Sequence, residues 1–62
     1  MIYSVIFNNA NGRATLVCDK SGERTFTGFD SVTSMTRWMN ENDIEVPLKR
    51  CYRGYEAWKA AR

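Results

Sequence analysis

The chain has no histidine. The side chain most often used as acid and base near neutral pH is therefore missing. It has two cysteines, Cys18 and Cys51, with no Cys-x-x-Cys and no Cys/His pair at zinc spacing. A structural zinc site and a disulfide framework are both excluded. The pair fits two buried thiols in a reducing cytosol, which compartment chemistry favours, or a single Cys18–Cys51 bridge tying the second strand to the C-terminal tail. One proline and four glycines leave no linker and no low-complexity stretch. No apolar run approaches the roughly 18 residues that a membrane span needs. The N-terminal MIYSVIFNN is apolar but short, and no charged segment precedes it, unlike a signal peptide. GxSxG, P-loop and GxGxxG patterns are absent. The expectation is a cytoplasmic, non-enzymatic protein with no cofactor and no metal.

The composition that remains is globular, with 44% hydrophobic and 26% charged residues. Sixty-two residues make one domain. A domain of this size buries only about 60% of the surface that its unfolded chain exposes. Its stability margin is thin, and a partner subunit is one common remedy.

Periodicity predicts the elements. Residues 2–7 are β-branched and aromatic, with Tyr3, Val5 and Phe7 on one face and Ile2, Ser4 and Ile6 on the other. Two apolar faces suggest a central strand or one covered on both sides. Asn11-Gly12 marks a turn, residues 13–19 a second strand, Lys20-Ser21-Gly22 a second turn, and residues 23–28 a third strand with Phe26 inward. Together they make an antiparallel meander. Asp30 reads as the N-cap of a helix over residues 31–41. Val32, Met35 and Met39 form its apolar stripe, with Trp38 at the edge, and core is a better reading of that stripe than a partner-binding patch. Ile44, Val46 and Leu48 alternate with Glu45 and Pro47, an extended pattern that the proline confines to a sheet edge. Residues 53–61 can form a closing helix with Tyr55 and Trp58 on one side. The expected class is α+β, in the order β-β-β-α, a short extended piece, then a terminal helix.

Charge is distributed unevenly. Residues 1–46 carry four basic and six acidic side chains; residues 47–62 carry five basic and one acidic, giving the net +2. The basic tail is interleaved with aromatics. Lys49, Arg50, Arg53, Lys59 and Arg62 are candidates to grip phosphates, and Tyr52 and Tyr55 to stack on bases or fill a pocket. Trp58 reads first as core, because so small a domain needs its large aromatics to close. Tyr and Arg are also enriched at protein interfaces, so an acidic protein surface is the other candidate partner. Cys51 sits between Arg50 and Arg53, which would lower its pKa, but no base stands near it in sequence and packing is the better reading. Glu41, Asp43 and Glu45 lack the spacing of an EF-hand loop and read as a solvated acidic turn.

In the order of its elements, a three-strand meander followed by a helix is similar to the arm-type DNA-binding domains of phage integrases and to double-stranded-RNA-binding folds. It also resembles the architecture of very small phage-encoded inhibitor proteins. The likeness lies in element order, without a residue motif, so no functional residue carries over from it. It leaves two readings: a small nucleic-acid-binding protein that uses the basic aromatic tail, or a protein-binding inhibitor or adaptor of phage or prophage type. A homodimer is compatible with either.

Overall fold

The computed structural model describes residues 2–61. Its elements are β1 (Ile2–Phe7), β2 (Ala14–Lys20), β3 (Glu23–Phe29), α1 (Val32–Glu41), a 3-10 turn (Leu48–Arg50), β4 (Cys51–Arg53) and α2 (Tyr55–Ala60). They build one four-stranded sheet in the order β3-β2-β1-β4. The first three strands are antiparallel neighbours, and β4 joins β1 in parallel. The α+β class expected from the sequence is present.

The doubly apolar character of β1 has its explanation in this order. β1 is an inner strand, and its alternate residues face opposite sides of the sheet. Val5 joins Ala14, Leu16 and Met35 in one core beneath α1. Ile6 joins Val17 and Trp58 in a second core beneath α2. The two helices therefore cover opposite faces.

Local chemistry sets the turns. Between β1 and β2, the Asn8 and Asn11 side-chain carbonyls accept from the Ala10 and Arg13 amides, each at 3.0 Å. Gly12 takes the positive φ of 71° that this turn demands. Ser21 and Gly22, at φ 48° and 89°, form the two-residue turn into β3, with Lys20 opposite Glu23.

Several expectations need correction. The cap of α1 is Ser31, not Asp30: the Ser31 hydroxyl accepts from the Ser34 amide at 3.1 Å, while Asp30 faces Arg13. Its stripe is narrower than expected, with Met35 buried, Met39 half-buried, and Val32 and Trp38 exposed. α1 ends in a Schellman closure, where the Ile44 amide donates to the Met39 carbonyl at 2.9 Å and Asp43 to Asn40 at 3.3 Å. The alternation of Ile44, Val46 and Leu48 does not make a strand. Ile44 and Val46 pack on the α1-side core without pairing, and Leu48 is 90% exposed. The fourth strand comes three residues later and is too short to show a period. Arg53 belongs to it, so α2 begins only at Tyr55, after Gly54 at φ 97°. Phe26 is on the α2 side and 49% exposed rather than inward.

Both cysteines are free and half-buried. Cys18 lies opposite Tyr3 on β2 and Cys51 opposite Val5 on β4, so β1 runs between them. Two strand spacings, about 10 Å, exceed the reach of a disulfide, and the bridged alternative falls.

Candidate functional site

The tail is divided by β4. Because a strand alternates its side chains between faces, Tyr52 falls on the α2 side, while Cys51 packs beneath α1. The basic residues part company in the same way. Arg50 and Tyr52 line an open groove of about 310 Å³ on the α2 face, together with Ser4, Asp19, Arg24 and Trp58. Arg53 lines a different cleft, of about 500 Å³, with Asn8, Asn9 and Arg13 at the β1–β2 turn. Lys49, on the 3-10 turn, and Lys59, in the last turn of α2, are exposed and line neither. Arg62 lies outside the described residues.

Trp58 organises the first groove. It is 4% exposed and sits on Ile6 and Val17. Phe26 meets it edge-to-face at 5.5 Å between centroids, and Tyr55 lies tilted at 5.4 Å. The Arg24 guanidinium stands 5.3 Å from the indole centroid. It also donates to the Asp19 carboxylate, through Nη2 at 3.1 Å and Nε at 3.4 Å. Asp19 and Arg24 are cross-strand partners on β2 and β3. The result is a buried indole with an exposed aromatic on either side and an arginine held over its face. Among the described residues, the Arg50 side chain has no hydrogen bond or ion pair, so its charge is available to a ligand in the groove. Phe26 and Tyr55 remain 49% and 52% exposed although each touches Trp58.

The second cleft is weaker electrostatically. Arg13 pairs with Asp30 at 3.4 Å. Arg53 stands opposite Phe7 in register, and the following Gly54 amide donates to the Phe7 carbonyl at 2.8 Å. An open depression of about 490 Å³ on the outer side of α1 is lined by Arg37 and Glu41 and holds no excess charge.

Burial pushes the Cys51 thiol above its ordinary value of 9.0, and its sulfur donates to the Pro47 carbonyl at 3.6 Å. The flanking arginines do not reverse that direction. Arg50 is turned into the α2-side groove and Arg53 toward the β1–β2 turn. Among the described residues, no group of three His, Cys, Asp or Glu side chains is placed to hold a metal, and no helix is long and apolar enough to cross a membrane.

Arg24 and Asp19 are groove residues that lie outside the basic tail. Their signal is in the sequence: a two-residue turn at Ser21-Gly22 places Asp19 opposite Arg24, and Val17 opposite Phe26. No protein-family model, curated protein or solved structure matches the chain. The likeness to phage DNA-binding domains and inhibitors thus stays one of element order.

Proposed function

We propose that the protein is a small, non-enzymatic binding protein that takes a nucleic-acid strand along its α2 face. The observation that carries this reading is the groove, where Arg50, unpaired among the described residues, lies with Tyr52, Arg24 and Trp58, and Phe26 and Tyr55 contact the same indole from outside the groove. Arginine in such a setting neutralises phosphate, and half-exposed aromatic rings offer bases a stacking surface. Lys49 and Lys59 would extend the contact along the backbone, and Arg53 would hold a strand that continues toward the β1–β2 turn. A non-enzymatic role is supported by the lack of histidine and by the raised Cys51 pKa, opposite to what a nucleophile requires. Two free thiols suit a cytoplasmic setting.

A mobility-shift titration with single-stranded and duplex oligonucleotides, at low and at moderate salt, tests the reading. Retardation at low salt that weakens as salt rises is expected. No retardation at low salt would end it, because phosphate contacts are strongest there.

A protein partner is the second reading, an inhibitor or adaptor of phage or prophage type. It is favoured by the large apolar and aromatic side chains left exposed at Ile2, Phe26, Leu48 and Tyr55. Apolar and aromatic groups with arginine are the composition of interface hot spots. Recovery from lysate of one stoichiometric protein that survives nuclease treatment distinguishes it from the first.

A further inference from the structure

The two edges of the sheet are unlike. β4 is three residues long, preceded by a 3-10 turn and followed by Gly54 at a φ that breaks the strand. β3 is seven residues long, and every residue except Phe29 is exposed. It has no proline and no lysine, two devices with which proteins blunt an edge.

The hydrogen-bonding parity of that edge follows from the ladder. The Asn8 amide donates to the Arg13 carbonyl at 2.8 Å, which fixes the residues of β2 that address β1 as 15, 17 and 19. Residues 14, 16, 18 and 20 then address β3, through their partners 29, 27, 25 and 23. The backbone groups of Arg24, Phe26 and Gly28 are left pointing outward. Among the described residues none of them bonds outside the ladder.

We propose that the β3 edge pairs antiparallel with the β3 edge of a second copy of this chain, about a two-fold axis through Phe26. β3 is self-complementary in that register. Phe26 lies opposite its own counterpart, Arg24 opposite Gly28, Thr25 opposite Thr27, and Glu23 opposite Phe29. The three outward residues of one copy meet the three of the other, giving six new backbone hydrogen bonds. No other register of the same parity pairs all seven residues. Gly28 has open space where a side chain would stand, so nothing at that position crowds the opposing Arg24. Threonine pairs directly opposite one another suit adjacent strands.

The pairing makes an eight-stranded sheet with an isologous interface. About 24 Å of strand is covered, at roughly 3.4 Å per residue. Edge pairing of that length makes a reversible rather than an obligate dimer. It also sets the two Phe26–Trp58 clusters side by side, so both α2-side grooves share one surface.

Sedimentation of the reduced protein from micromolar to millimolar concentration should show monomer passing to dimer. Gly28→Pro deletes an outward amide without touching the β2 ladder, and Gly28 has no positive φ to oppose the ring. It should weaken association at least about tenfold. Phe26→Lys, an edge lysine, should do the same, and a dispersed amide spectrum shows that each variant is folded. In the wild type, exchange protection at Arg24, Phe26 and Gly28 should rise with concentration, and mixed-label samples should give contacts between Phe26 rings of different copies. A wild type that remains monomeric at millimolar concentration overturns the proposal. So does a dimer with those three amides unprotected.

Discussion

Beneath α1, four buried side chains share closure with a ring of half-buried ones that includes Phe7, Phe29, Met39 and Ile44. Beneath α2, one residue, Trp58, closes the face over Ile6 and Val17, with Tyr52 half-buried beside it. The first face is made by many small contributions from a ten-residue helix; the second depends on a single indole carried by a six-residue helix. A face closed by one large side chain leaves its surroundings open. On the α2 side Phe26 and Tyr55 stay about half exposed around the indole, while beneath α1 Phe7, Phe29, Met39 and Ile44 are drawn into the packing and Val32 and Trp38 are left at the rim.

The contrast is broken most sharply by Trp58→Ala. It should cost about 3–5 kcal/mol, close to the entire stability of a domain this small. Urea denaturation should show loss of a cooperative transition, whereas a cost near 1 kcal/mol would mean that the α2 face is not held by one residue. Met35→Ala removes a buried side chain from the shared face and should cost about 2–3 kcal/mol, because the flexible Met39 beside it can move into the space. Equal losses from both variants would erase the distinction between the faces.

Two turn substitutions sharpen it. Asp43 takes the left-handed position of the α1 closure at φ 54°, which steers Ile44 onto the shared core. Asp43→Gly should raise stability by about 0.5–1 kcal/mol by relieving that backbone. Ser21, at φ 48°, sets the register that brings Arg24 to Trp58. Ser21→Asn should add a few tenths of a kcal/mol, since asparagine tolerates that conformation better. Chemical denaturation reads both.

The smallest effect belongs to Cys51. Its folded pKa is raised by burial, so the protonated thiol is the form the fold prefers. Its contribution is fully present below the unfolded value of 9.0 and is lost as pH rises through the higher folded value. Iodoacetamide should modify Cys51 more slowly in the folded protein than in urea at the same mildly alkaline pH. Faster modification in the folded state would show that the neighbouring arginines outweigh burial.

Much of this fold is legible in the residues. Strand periodicity and the two turns locate β1, β2 and β3 to within a residue, and the apolar character of both faces of β1 marks it as an inner strand. The helix stripe finds Met35. The parallel strand β4 escapes, because three residues carry no period and the alternation of Ile44, Val46 and Leu48 imitates one. That omission also hides how the tail divides. Without β4, Arg50 and Arg53 look like neighbours on one basic surface. With it, they belong to separate clefts. Ser31 is passed over as the cap because Asp30 offers the same chemistry one residue earlier, whereas it is Ser31 that has the extended cap backbone and accepts from the Ser34 amide.

The central claim is that the face closed by Trp58 binds a nucleic-acid strand, with Arg50 as an unpaired cation in its groove. The most direct test is fluorescence anisotropy of a labelled single-stranded oligonucleotide, titrated with wild type and with Arg50→Ala over a range of salt concentrations. The logarithm of the wild-type affinity should fall linearly with the logarithm of salt. The Arg50→Ala slope should be shallower by about 0.7, the value of one lost phosphate contact on a single strand. An unchanged slope in the folded variant, or no binding by the wild type at the lowest salt, would contradict the account.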